Sequence, residues 1–431
     1  MTIITFLGLI GASYTPEEKV HLWKDYKGVD YIFEPTLREV LEKSDDNCRY
    51  PNMLGLLLEE FPDARFVAVG TNIAFEVQQE VMKYFGYDEK FTKVERIVLE
   101  DEMDFTNIFS QLDRIMQSEK KVIVDISHSF RHLPILMTIQ MIIENIQDHN
   151  KIKHIFFAKE LAKDRRYEII DLHDYLDLSA IAFALASFDE NYTVGHYVKV
   201  SNHNYRDLIE LLRVIGTHIL SNSFKVLFTH HDKQRPLVER VLELLTNLQK
   251  HPASKPLERS LKKIEEHMQK LSDLSTMRED RMYFEMAFIL YKKGYMLNAI
   301  TLLDEATALY CLHSIKQLDE KFRMHIDSAK FKGKPYGAYR LSNEAKNLLK
   351  YYPNSKYPLL QDEKFTKMVI ERLKNKDFAK FKKFIQDCDS VRDDLAHGNK
   401  SKYRKDIDLE MGKLFSKYRS HCIDNDILGT I

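Results

Sequence analysis

A chain of 431 residues is too long for one ordinary hydrophobic core, and a composition of 44% hydrophobic and 30% charged residues excludes a disordered protein. The net charge of −1 conceals an asymmetry: residues 1–200 carry 22 Lys and Arg against 34 Asp and Glu (−12), and residues 201–431 carry 42 against 31 (+11), so the second half suits nucleic acid. Four scattered cysteines (Cys48, Cys311, Cys388, Cys422) without a C-x-x-C pair argue against a zinc knuckle or disulfide framework, and no apolar run reaches the roughly 18 residues of a membrane span.

The N-terminus, MTIITFLGLIGASYTP, has no basic leader, so a cytoplasmic protein without a membrane partner is expected. Ile3–Leu9 is a continuous apolar run ending at glycines, which suits a buried parallel strand. Phe66–Val69 and Lys121–Ile126 read as two more strands, and Ile152–Phe157 as a fourth. The stretch EDEMDFTNIFSQLDRIMQ has helical apolar spacing, and LPILMTIQMIIENIQ is apolar nearly all round, which predicts a buried helix. Strands alternating with helices imply a Rossmann-like α/β domain over residues 1–190, with ligands at the C-terminal ends of its strands. The segment Gly8-Leu9-Ile10-Gly11-Ala12-Ser13 is not G-x-G-x-x-G, and no Walker A sequence occurs, so a dinucleotide or P-loop site is disfavoured.

From about residue 200, long amphipathic stretches replace the strands: Asp207–Leu220, Leu237–Leu248, Met282–Leu312 and Phe378–Val391. Tyr291–Tyr310 reads as two helices joined near Gly294, and no fixed-period repeat is present. Residues 191–431 are expected to form an all-α domain.

Two segments concentrate chemistry. Asp125–Pro134 (DISHSFRHLP) follows the third strand and holds Asp125, Ser127, His128, Ser129, Arg131 and His132. Arg131 offers a planar fork for phosphate, the two hydroxyls can donate, and a helix starting near Pro134 would aim its positive end at the same place. On composition alone the plainer reading is favoured: Asp125 capping a turn, and histidines satisfied in place. With no second ligand cluster, neither a metal nor another cofactor is expected. The second segment, Ser390–Lys405 (SVRDDLAHGNKSKYRK), sets Arg392 and His397 five apart, within about 140° on a helix. RNA brings its own nucleophile, the 2′-hydroxyl. Cleavage then needs proton transfer, which suits His397, and neutralisation of the phosphorane, which suits Arg392. Lys400, Lys402, Arg404 and Lys405, with Tyr403 between them, offer backbone and stacking contacts. Spacing alone proves little: 21 arginines and 17 histidines should produce R-x4-H about 0.8 times by chance, and Arg213/His218 repeats it in an apolar helix.

The two segments, in this order and on these two domain types, resemble a known family. The N-terminal half resembles a CARF domain, the sensor fold for cyclic oligoadenylates, and specifically that of the DxTHG-motif CRISPR-associated proteins, on Asp125-Ile-Ser-His128-Ser-Phe-Arg131. The helical half resembles a HEPN domain, whose nuclease motif is R-x4-H with a polar residue after the arginine, here Asp393. Asp171–Phe188 is similar to the helix that joins the two domains. Ser127 stands where the motif has threonine, and Ser129 where it has glycine, which bears on how closely the loop approaches a phosphate.

The resemblance implies a homodimeric endoribonuclease of type III CRISPR antiviral defence, activated by a cyclic oligoadenylate (tetra-adenylate favoured over hexa-adenylate) and cutting single-stranded RNA without metal. It assigns Arg392, Asp393, His397 and Asn399 to catalysis, and Lys400, Lys402 and Arg404 to RNA. Gly11, Ala12, Ser13, Thr71, Asn72, Ser127, His128, Ser129 and Arg131 fall to the ligand. A non-catalytic regulator whose basic half binds nucleic acid or a partner protein is the alternative, and a sensor pocket that also cleaves its ligand is a further one.

Overall fold

The structure is a computed structural model. It describes all residues except 34, 43–48, 100–104, 129–131, 163–165, 197, 201, 230–234, 332–333, 355–357, 375–378, 399–403 and 429–431, and except the side chains of 35, 36, 105, 132, 162, 252, 253 and 331. The chain divides into two compact units. One comprises Met1–Ser187, Val194–Glu210 and Asn247–Leu261; the other comprises Phe188–Thr193, Leu211–Thr246 and Lys262–Ile431.

Among its described residues the first unit contains ten strands: β1 (Thr2–Phe6), β2 (Ala12–Thr15), β3 (Lys19–Leu22), β4 (Val29–Phe33), β5 (Arg49–Tyr50), β6 (Arg65–Thr71), β7 (Glu95–Leu99), β8 (Val122–Asp125), β9 (Ile152–Ala162) and β10 (Arg166–Asp171). Eight of them form one sheet in the order β5-β4-β10-β9-β8-β1-β6-β7, while β2 and β3 make a separate hairpin. From β9 to β7 the strands are parallel, and all five residues of β1 are buried, as the continuous apolar run predicts. The sheet departs from the all-parallel expectation at one side, where β10 runs antiparallel to β9 and β5 antiparallel to β4. Only three residues separate β9 from β10, far fewer than the dozen a parallel crossover needs.

The helices α1 (Met53–Glu60), α2 (Asn72–Tyr84), α3 (Asp88–Phe91), α4 (Phe105–Ser118) and α5 (His132–Gln147) accompany the sheet. Ile3, Ala68 and Ile123 point to a core shared with α1 and α2, whereas Ile4, Val67 and Val124 point to one shared with α4 and α5. The period-2 alternation of buried strands thus feeds both layers. Helix α5 starts at His132, and Pro134 sits in its first turn, where a missing N–H costs nothing. The expectation that α5 is buried all round is corrected. Leu133, Met137 and Met141 cover the sheet, but Ile135, Ile139 and Ile143 form an uncovered i, i+4, i+8 stripe, 63%, 46% and 39% exposed.

Beyond residue 172 the described chain is helical, apart from the two-residue strands β11 (Lys330–Phe331) and β12 (Lys334–Pro335). The helices are α6 (His173–Asn191), α7 (His203–Leu220), α8 (Lys225–Phe228), α9 (Leu237–Gln249), α10 (Glu258–Leu274), α11 (Glu279–Lys292) and α12 (Met296–Gln317). They continue with α13 (Glu320–Asp327), α14 (Ala338–Tyr351), α15 (Glu363–Leu373), α16 (Ala379–Ala396) and α17 (Arg404–Tyr418). Helix α12 is the axis of the second unit, packed by α11, α14, α16 and α17. The break between α11 and α12 falls at Gly294, at φ +85°, where the N–H groups of Gly294 and Tyr295 return to the carbonyls of Tyr291 and Leu290. This double return closes α11 as a Schellman motif, which needs a left-handed residue.

Within the second unit, Gly216 of α7 lies so close to the carbonyl of Tyr192 that any Cβ there would sit 2.0 Å from its oxygen. The Tyr192 hydroxyl in turn lies 2.7 Å from Nε2 of His267. Burial, helped by nearby Lys293, pushes the His267 imidazole down to about 4. Its folded value lies below the unfolded one, so the unfolded chain binds the extra proton as pH falls. Stability from this site is complete above about pH 6.5 and should drop by roughly 3 kcal/mol as pH approaches 4. Thermal melting across that window should show the decline, and His267→Gln should flatten it.

Candidate functional site

In the first unit, β1 lies between β6 and β8, so the chain leaves β1 toward one side and returns through β8 on the other. The C-terminal ends of β1 and β8 are therefore the point at which the strand order reverses, where open sheets form their ligand crevice. Asp125 ends β8 there, buried. Its Oδ2 accepts the Thr5 hydroxyl at 2.6 Å and its Oδ1 accepts the Ser127 N–H at 2.9 Å. Asp125 thus ties β8 to β1 and turns the chain. The Ser127 Oγ accepts the Ala158 N–H at 2.9 Å, which leaves its own O–H free to donate elsewhere. His128 places its ring edge against Tyr167, and among the described residues its buried Nε2 meets no hydrogen-bond partner. Burial lowers the His128 imidazole from its ordinary value against the pull of Asp125, so it is neutral at pH 7. Ser129 and Arg131 lie outside the described residues.

The loop after β1 is shaped by residues that sequence reading overlooks. The Gln78 amide of α2 donates to the carbonyls of Gly8 (2.8 Å) and Ile10 (3.1 Å), and its Oε1 accepts from Asn52 at 2.5 Å. Asn52 also caps α1 by accepting the Gly55 N–H at 3.0 Å. Their only signal in the sequence is polarity beside apolar helical positions. Gly11 has φ +88°, and a Cβ there would meet the Tyr26 ring at 2.6 Å. Ala12 buries its methyl in the core, so only its backbone is open to a ligand, whereas Ser13 is exposed on β2. Thr71 caps α2 by accepting the Ala74 N–H at 3.2 Å, and Asn72 begins that helix, exposed. The chemistry on offer is anion binding: loops at three adjacent strand ends, hydroxyls, and the positive end of α2.

In the second unit, Arg392 lies on α16. The helix ends at Ala396, so His397 stands one residue beyond it rather than on it; its N–H still returns to the Asp393 carbonyl at 3.0 Å, and Gly398 at φ +64° ends the turn. The His397 side chain is exposed. Arg392 donates through Nη1 to Asp304 of α12 at 2.5 Å, and through Nε and Nη2 to Asp393 at 3.3 and 3.0 Å. Asp304 also accepts from Lys346 at 2.6 Å, Lys346 reaches Asp389 at 3.0 Å, and Asp389 accepts from Lys350 at 2.5 Å. Burial works against the Arg392 cation, yet Asp304 and Asp393 raise its pKa further above the ordinary value. The Lys346 ammonium is raised in the same way by Asp304 and Asp389 in spite of its burial.

Arg404 opens α17 with its guanidinium beside Gly294, while Asn399, Lys400 and Lys402 lie outside the described residues. Arg213 and His218 are half-buried on α7. Among the described residues no group of three His, Cys, Asp or Glu is placed to hold a metal, and no helix is long and apolar enough to cross a membrane.

No protein-family model matches the sequence, and no curated protein matches it. Among solved structures, a similarity to "Enterococcus italicus Csm6 bound to cyclic hexa-2'-fluoro-hexa-dAMP" covers 97% of this chain and 92% of that chain, at 11% identity and a TM-score of 0.37. A superposition that loose carries no inference about residues or activity.

The Gln78 bridge has a measurable consequence. Gln78→Leu keeps volume but leaves two loop carbonyls and Asn52 without their partner, and should lower the unfolding free energy by about 2–3 kcal/mol in denaturant titration.

Proposed function

We propose that the protein is a cyclic-oligoadenylate-activated, metal-independent endoribonuclease of type III CRISPR antiviral defence, acting as a homodimer in the cytoplasm. Residues 1–190 serve as a CARF-type sensor and residues 191–431 as a HEPN-type nuclease. One observation carries the reading: an exposed His397 stands just past the end of the helix that presents Arg392, whose fork is held by buried Asp304 at one side and by the exposed Asp393 at the other. That arrangement has the proton-transfer group and the cation that RNA cleavage requires, and lacks only the hydroxyl that RNA supplies. In the reaction the 2′-oxygen bonds to phosphorus as its proton leaves, and the bond to the 5′-oxygen breaks as that oxygen gains a proton. The products are a 2′,3′-cyclic phosphate and a 5′-hydroxyl. His397 moves the proton, and Arg392 holds the charge that develops on the non-bridging oxygens. Asp393 and Asn399 complete the centre, and Lys400, Lys402 and Arg404 bind the strand.

The activator enters at the ends of β1, β6 and β8, and tetra-adenylate is favoured over hexa-adenylate. Since residues 1–200 carry −12, anion affinity must come from local groups: the Gly11 and Ala12 backbone, Ser13, Thr71, Asn72, Ser127, His128, Ser129 and Arg131. A two-fold axis would give one ring two such loops and pair two Arg392/His397 sets. The open Ile135/Ile139/Ile143 stripe supports self-association.

Two measurements test this. Labelled single-stranded RNA in EDTA should stay intact with protein alone and be cut once cyclic tetra-adenylate is added; His397→Ala should abolish cutting with ligand binding kept, and Arg131→Ala should weaken ligand binding. A requirement for Mg²⁺ contradicts the mechanism. Ile139→Glu should shift the protein to monomer in light scattering and remove activation; an unchanged mass counts against the dimer.

A further inference from the structure

The two carboxylates on Arg392 differ in kind. Asp304 contributes a side chain that is only 3% exposed, and each of its oxygens is taken: Oδ1 by Lys346 at 2.6 Å and Oδ2 by Arg392 Nη1 at 2.5 Å. Lys346 is as deeply buried and is shared with Asp389, so α12, α14 and α16 are locked by one set of charges. Releasing Arg392 from Asp304 would strand a charge in a low-dielectric interior. Asp393 is the opposite case. Its side chain is 59% exposed, and one oxygen serves both Nε at 3.3 Å and Nη2 at 3.0 Å. A water-exposed contact of that length is weak, whereas a phosphate brings two oxygens at roughly 2.7–2.9 Å to the same two-nitrogen edge.

We infer that Asp304 is a positioning residue, which fixes the Arg392 guanidinium through Nη1, and that Asp393 is the exchangeable occupant of the Nε/Nη2 edge that receives the RNA phosphate. This rests on the nuclease reading and deepens it. Asp304 never touches RNA. It decides which edge of the guanidinium faces out, on the same helix end as His397. Asp393, being an internal anion, competes with the substrate.

The test uses the full-length chain with saturating cyclic tetra-adenylate. Asp304→Asn should lower the melting temperature and, at a temperature where it remains folded, lower kcat by about tenfold or more, and Asp304→Glu, which retains the charge, should recover part of that kcat. RNA affinity, measured by fluorescence anisotropy with every variant built on His397→Ala so that no strand is cut, should tighten several-fold for Asp393→Asn. The neighbouring Asp394→Asn removes the same charge and should tighten binding less. Should Asp304→Asn fail to fold, a smaller loss of kcat, still below wild type, is read from a folded Asp304→Glu. Wild-type kcat in folded Asp304 variants, or equal tightening by Asp393→Asn and Asp394→Asn, overturns the inference. Full cleavage by Arg392→Ala would instead overturn the nuclease reading itself, so the two failures are distinguishable.

Discussion

A buried carboxylate must be met by donors, and in each unit of this protein one such carboxylate determines how the candidate site is presented. In the sheet, Asp125 is held by the Thr5 hydroxyl and the Ser127 N–H, so the ends of β8 and β1 are joined where the strand order reverses. In the helices, Asp304 is held by Lys346 and Arg392, so three helices share one buried ionic centre. Burial pushes the Asp304 carboxyl up from its ordinary value while Lys346 and Arg392 pull against it. Such a centre adds little net stability over an apolar substitute, but removing one member is costly, and this favours a single fixed geometry.

The same principle separates scaffold from chemistry among the polar groups of the first unit. Asp125, Gln78, Asn52 and Thr71 spend their side chains on backbone carbonyls, backbone N–H groups and one another. His128 differs, since its Nε2 is buried and unpartnered among the described residues, and burial keeps the ring neutral. A motif dense in polar residues is therefore a mixture. Some members shape the crevice, and fewer remain to line it.

Legibility differed between elements for physical reasons. Strands β1, β6 and β8 were readable because a strand buried on both faces must be apolar nearly throughout. The α11–α12 break was readable because only a glycine readily takes the left-handed turn that closes the first helix. The antiparallel β10 was not, since its alternation is interrupted by charge and its direction follows from a three-residue connection. Helix α5 was misread because apolar residues all round do not reveal whether a neighbour covers the outer face.

For the candidate site, composition determined which chemistries were available: a hydroxyl- and imidazole-rich loop after a strand, and an Arg–His couple beside a basic tail. Local sequence also dictated the caps and turns, because these depend on residues a few positions apart. What only the tertiary structure decided is which polar groups are spent. Asp304 lies 88 residues from Arg392, and Gln78 lies 70 from Gly8, so no local pattern announces either bond. Partners this distant in sequence meet only once the core has closed, and the closed core then sets which edge of a side chain remains free.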